Sequence, residues 1–314
     1  MMRISKKTLK GEFSTDLPEM PENCWVDLVR PSAEELEFVA KETGAPAEML
    51  KAALDENERP RVESEDGCVL VIFSIPFKES GADNGKLMVS TMPLGIIMAG
   101  DKTITVCLRE NEVLNDFYSG RVRGFSTGKH TRFLIQIFAR ATVHFTRYLN
   151  TIEKTIDDIE KALQHSFRNE EIVRLLELQK SLVYFNNGVV SNNNVLDKIV
   201  KGRFLRLFEE DREMLDDVII DNKQAIEMVT ISATVLNSTM DAYTSIISNN
   251  LNTVMKFLTS ITIVLMIPTM VASFYGMNVD LPLQENPQAF VIVIAVSFML
   301  SGMLAYIFWR RNWF

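Results

Sequence analysis

Cysteine, histidine and positive charge are all scarce in this sequence, and each shortage removes a class of function. The three cysteines, Cys24, Cys68 and Cys107, are odd in number and far apart in strand-like apolar runs. They read as buried thiols in a reducing compartment, with neither a redox nor a metal-ligand spacing. The three histidines are His130, His144 and His165; His144 and His165 have no cysteine or second histidine one helical turn away, which favours ordinary helix residues over ligands. Glycine-rich phosphate loops and nucleophile elbows are missing, so no nucleotide, no cofactor and no enzyme activity are expected. With 33 Lys+Arg against 41 Asp+Glu the net charge is −8, which suits neither nucleic acid nor an anionic lipid surface, and does suit cations. Met1 to Lys10 is polar and basic without an apolar core, so no signal peptide is expected.

Apolar residues concentrate at the other end. Phe257 to Val279 carries no charge, long enough as a helix at ~1.5 Å per residue to cross a hydrocarbon layer of ~30 Å. A second uncharged run, Phe290 to Phe308, is opened by Asn286-Pro287, stopped by Arg310 and Arg311, and flanked by Tyr306, Trp309 and Trp313 as an interfacial belt. Lys256 below the first run and the arginine pair after the second put both termini in the cytoplasm, with the loop from Val279 to Glu285 outside.

The first run is polar for a membrane helix. Thr259, Thr262, Thr269 and Ser273, with Met266 filling the gap, recur at steps of three and four and share one face. The rhythm extends back through Met255, Asn252, Ser248, Ser245 and Asp241, and forward to Gly276. Helix packing is one reading of such a stripe; several copies of the helix around a common axis, enclosing a polar path, is the other.

Ahead of the membrane runs, residues 1–128 mix strands (Cys24 to Leu28, Cys68 to Phe77, Leu87 to Met92, Thr103 to Leu108) with a capping-box helix at Ser32 and a second short helix near Ala47 to Leu54. Residues 130–165 and 169–200 have helical periodicity and form a hairpin. A third helix starts near Asp211 and, with no proline or glycine before Pro268, continues into the membrane. Its seam is expected at Ile219, Ile226, Ala233, Met240, Ile247 and Val254, interleaved with Val229, Leu236 and Tyr243. Around its start Glu209, Glu210, Asp211, Glu213, Asp216, Asp217 and Asp221 crowd together, relieved by Arg212 and Lys223. They read either as a solvated helix start or as a divalent-cation site between subunits.

Tyr275-Gly276-Met277-Asn278, following Met266-Ile267-Pro268-Thr269, resembles the signature of the CorA family of divalent metal ion transporters, whose Gly-Met-Asn triplet closes the first of two C-terminal membrane helices. The resemblance implies an α+β membrane protein in the cell (inner) membrane: a cytoplasmic α/β domain (1–128), a long-helix hairpin (129–208), a stalk (209–256), a first span (257–279), an outer loop (280–286), a second span (287–309) and a basic tail (310–314), assembled with itself as a homopentameric funnel. It implies uptake of Mg²⁺, with Co²⁺ or Ni²⁺ as further substrates, driven by membrane potential and gated by cytoplasmic Mg²⁺ as regulatory ligand. Asp217, with Asp216 beside it, falls where the family has an interface acid. Met255 and Leu258 read as core packing or as a hydrophobic gate, and the resemblance favours the gate. Where the family has Met-Pro-Glu-Leu after the triplet, this chain has Leu281-Pro282-Leu283 without the acid; Asp280 and Glu285 are the acids of its loop.

Between Phe257 and Asn278 there is no carboxylate, histidine or cysteine to cage a bare metal, whereas Mg²⁺ sheds water reluctantly and accepts contacts made through it. The expected passenger is therefore a hydrated ion, met at a filter of Gly276, Met277 and Asn278, with glycine letting the backbone turn there. A Zn²⁺ transporter of the same fold and a membrane-anchored scaffold or sensor are the alternatives.

Overall fold

The computed structural model describes residues 1–8, 12–79, 88–165, 169–202, 204–205, 207–282, 286–311 and 313, apart from the side chains of 164, 165 and 169. The chain divides into two compact units, Met1–Asn237 and Ser238–Phe314. The first is built on a seven-stranded sheet of order β2-β1-β3-β7-β6-β5-β4. Its strands are β1 (Met2–Lys7), β2 (Phe13–Ser14), β3 (Trp25–Val29), β4 (Arg61–Glu65), β5 (Cys68–Lys78), β6 (Val89–Ala99) and β7 (Lys102–Cys107). All neighbours are antiparallel except β3 and β7.

Side-chain alternation splits this sheet between two cores. Along β5, Val71, Phe73 and Ile75 join one apolar cluster, whereas Cys68, Leu70 and Ile72 join the other. The second cluster is covered by α1 (Ala33–Thr43) and α2 (Ala47–Ala52), the first by α3 (Glu112–Tyr118), α4 (His130–His165), α5 (Asn169–Lys201) and the start of α6 (Glu209–Tyr275). Ser32 caps α1 as expected, its hydroxyl accepting from Glu35 N and Glu35 accepting from Ser32 N at 2.8 Å. Where α5 meets the sheet, Asn192 bonds both the N–H and the C=O of Ser74 at 2.8 Å, continuing the β5 ladder beyond the end of β4.

Three elements depart from the expectations. The polar start of the chain is a paired strand, β1, because β3 offers it a ladder from Met2 to Ser5. The charged run Arg61–Glu65 becomes β4 through the turn at Asp66-Gly67, both left-handed at φ 49° and 75°, a two-residue hairpin signal. Finally, α6 buries Asp211, Leu215, Val218, Asn222, Ala225, Val229, Ser232, Leu236 and Tyr243, so the expected series Val229, Leu236 and Tyr243 is buried and the other expected series is displaced. The series Ile219, Ile226, Ala233 and Met240 is only half-buried at its edge, and Ile247 and Val254 are exposed. Polar seam positions hid the register. Asn222 Nδ2 donates to Val189 O at 3.0 Å and Ser232 Oγ to Glu153 Oε1 at 2.7 Å, so both are buried at no loss of partners.

In the second unit α6 runs through Pro268 to Tyr275 and is followed by α7 (Ala289–Arg310); both are long and apolar enough to cross a membrane. α7 starts after Asn286-Pro287 rather than on it, Asn286 Oδ1 accepting from Gln288 N at 2.9 Å in a turn that precedes the helix.

Candidate functional site

In the second unit most of α6 is exposed, the stripe included. Thr259, Thr262, Met266, Thr269 and Ser273 are all exposed, as are Asp241, Ser245, Ser248, Asn252, Met255 and Leu258 below them. Burial falls instead on Ser260 and, in part, on Val264, Ile267 and Val271. On α7 it falls on Ser297 and Ser301, with Ile292, Val293, Leu304 and Ala305 half-buried. Small residues such as these are the ones that let membrane helices approach closely. At ~100° per residue, the covered face of α6 is centred about 150° round the helix from the threonine stripe.

Hydroxyl geometry gives the stripe a polarity. Thr262 Oγ1 donates to Leu258 O at 2.8 Å and Thr269 Oγ1 to Leu265 O at 3.0 Å. With the proton spent on the preceding turn, each oxygen offers only lone pairs outward. Lone pairs suit the water around a cation, whose hydrogens point away from the metal.

At its end α6 closes tightly: Gly276 N donates to Ala272 O at 3.0 Å, and Met277 N to Phe274 O at 3.2 Å. Gly276 is not left-handed, and a Cβ there would meet Ala272 O and Ser273 O at 3.4 Å, an ordinary contact. Within one chain the turn therefore does not demand glycine, and any need for it lies in close approach by something else. Met277, Asn278 and Asp280 are exposed. Glu285 lies outside the described residues.

The acids at the start of α6 are partly spoken for. Arg132, on α4, donates from Nε to Asp211 Oδ1 at 2.9 Å and from Nη2 to Glu210 Oε2 at 2.5 Å. That bond and the guanidinium charge hold the Glu210 carboxyl below its usual range. Nothing in the sequence tied an arginine 79 residues away to this cluster. Asp216 and Asp217 stay exposed, and among the described residues no three acids, histidines or cysteines gather to hold a metal.

Buried ionisable groups in the first unit serve the fold. Asp27 accepts from Thr105 Oγ1 at 2.7 Å and Tyr118 Oη at 3.1 Å, and burial pushes its pKa up to about 6. His144 Nε2 is 2.8 Å from Asp116 Oδ2, while its Nδ1 has no hydrogen-bond partner and lies 3.3 Å from Glu112 Oε2. His130 Nδ1 pairs with Thr103 Oγ1 at 2.8 Å.

A family model described as CorA-like Mg²⁺ transporter protein matches residues 21–311. The cobalt/magnesium transport protein CorA of Methanocaldococcus jannaschii is 30% identical over 300 residues, 92% of this chain and 90% of that protein. The complete structure of the CorA magnesium transporter from Methanocaldococcus jannaschii superposes with a TM-score of 0.86 at 27% identity, covering 100% of this chain and 99% of that one. The ZntB cytoplasmic domain from Vibrio parahaemolyticus gives a TM-score of 0.60 at 12% identity over 79% of this chain and 98% of that one, a likeness of fold alone.

Proposed function

The chain belongs to the CorA-like Mg²⁺ transporter family, a membrane protein with two C-terminal spans, and we propose that it carries hydrated Mg²⁺, with Co²⁺ as a further substrate, through a pore lined by the stripe on α6. The observation that carries this reading is the disposition of α6: its hydroxyl face is exposed and stands opposite the face on which Ser260 is buried. A face of threonine, serine and asparagine turned to acyl chains would lack water for its lone pairs, so it needs either water or other copies of itself. A ring of identical subunits supplies both. Five is the number that the family resemblance implies.

An ion enters from outside at Gly276, Met277 and Asn278, where the amide of Asn278 bonds the hydration shell, and passes the acceptor oxygens of Ser273, Thr269, Thr262 and Thr259. Met266, Leu258 and Met255 interrupt the path with apolar rings, and the last two form the constriction that closes by dewetting. Asn252, Ser248, Ser245 and Asp241 line the cytoplasmic exit. Asp280 and Glu285 concentrate cations at the mouth. The driving force is the membrane potential: two charges crossing 100 mV gain ~4.6 kcal/mol, enough for more than a thousandfold concentration ratio.

Asp216 and Asp217 act as the regulatory acids, completed by a neighbouring subunit. Bound cytoplasmic Mg²⁺ there holds the ring closed, and its loss releases the gate. Mg²⁺, Co²⁺ and Zn²⁺ flux into proteoliposomes tests the reading. Mg²⁺ flux is expected to follow the imposed potential and to collapse in Asn278→Ala; potential-independent flux, or an unaffected variant, would overturn it.

A further inference from the structure

From the outer end of α6 we infer that Tyr275 is a positioning residue for the ion entrance: its hydroxyl fixes the Gly276-Met277-Asn278 turn by donating to the Pro282 carbonyl. The distance is 3.2 Å, and the bond ties the last helical residue to one seven positions further on. This inference rests on the reading of Asn278 as the filter.

The turn needs such a tether. Backbone bonds close the helix end as far as Met277 N, and from Met277 to Val279 the chain bends without regular structure. Met277, Asn278 and Asp280 are exposed, and no hydrogen bond from their side chains is made among the described residues. Their placement therefore follows from the backbone beneath them, and the bond from Tyr275 spans that backbone. Pro282 is a suitable anchor because its ring fixes φ, one of the two torsions that place its carbonyl. A tyrosine at a membrane boundary has an ordinary explanation, its ring in the headgroup layer and its hydroxyl in water. That role tolerates small changes at the hydroxyl, whereas a tether does not.

Tyr275→Phe removes one oxygen and keeps the ring. Reconstituted at matched density, the variant is expected to need about fivefold more external Mg²⁺ for half-maximal flux, the factor that one hydrogen bond supplies, with its melting temperature unchanged. A purely structural role would lower maximal flux and leave half-saturation where it was. Asn278→Ala is measured alongside. If half-saturation is unmoved in Tyr275→Phe while Asn278→Ala loses or shifts flux, the tether is overturned and the filter stands. If neither variant differs from the parent, the filter reading fails and the tether with it.

Discussion

Asp27 offers the sharpest quantitative test of how the first unit is held together. It sits on β3, 2% exposed, between the sheet and α3, and its carboxylate is matched by two hydroxyls rather than by a cation in direct contact. Two hydrogen bonds only partly offset the loss of water, so the folded group keeps its proton up to about 6, against 3.8 for the free side chain. A carboxyl whose folded pKa is raised contributes stability that is complete below its unfolded value and is lost as pH climbs through the folded one. The gap of about two units corresponds to ~3 kcal/mol at neutral pH. Asp27→Asn removes the titration while Thr105 and Tyr118 can rotate to meet the amide. Relative to the parent, the variant should therefore gain ~3 kcal/mol between pH 4 and pH 7, or roughly 6–12 °C in the difference between midpoints. Above pH 7 that difference should stay flat. Trp25 reports the transition, since its indole N–H bonds Thr105 Oγ1 at 2.8 Å. Thermal unfolding followed by tryptophan emission at a series of pH values gives the measurement. A variant-minus-parent difference that is the same at pH 4.5 and pH 8 would refute the desolvation argument, whatever its absolute size.

Thr262→Val with Thr269→Val keeps shape and removes two acceptors from the stripe; Mg²⁺ flux should fall about tenfold and return in the double serine variant, as read by a fluorescent indicator inside liposomes. Arg132→Ala leaves Asp211, itself 3% exposed, without its cation, and should cost about 3 kcal/mol in denaturant unfolding; a change below ~0.5 kcal/mol would mean the pair is solvated. His144 titrates in the opposite sense to Asp27. Burial draws its pKa below 6.5 despite Asp116, so its contribution is present above pH 6.5 and is lost as pH falls below it. His144→Gln should flatten that part of the acid limb of the melting curve, and an unchanged limb would assign the loss to other groups.

The helices were the most legible part of the chain. The apolar rhythm over residues 130–165 and 169–200 corresponds to α4 and α5, because long amphipathic helices write their period many times over. The sheet was half legible. β3, β5 and β7 are apolar and sheltered on both faces, whereas β1 and β4 are polar strands made by their partners, through a ladder to β3 and a hairpin at Asp66-Gly67. β6 continues past Pro93 and Gly95, two residues that normally end a strand. Gly95 is needed there because a Cβ would come within 2.8 Å of Ala53 Cβ. Half of the α6 seam was legible, since Val229, Leu236 and Tyr243 are buried as expected; the other series lies one position away, because the pattern sought was apolar and Asn222 and Ser232 sit in the seam with satisfied hydrogen bonds. Arg132 was invisible for a related reason: pairing across 79 residues leaves no local period.

The stripe follows a different rule from the seam. In the first unit a polar group can be buried wherever a partner atom happens to stand, so its position carries no rhythm. In the membrane segment there is less freedom, since a hydroxyl there is met by its own preceding turn, by a neighbouring helix or by water. Ser260, Ser297 and Ser301 are buried, the first two with their hydroxyls donating to Lys256 O and Val293 O at 2.8 Å. Thr259, Thr262, Thr269 and Ser273 remain on the opposite side, exposed in a single chain. A threonine bonded to its own preceding turn still has lone pairs to place, and Asn278 at the end of the series has two donors and a carbonyl with no partner among the described residues. An amide left open in that way is stable only beside water, which is where a hydrated cation would meet it.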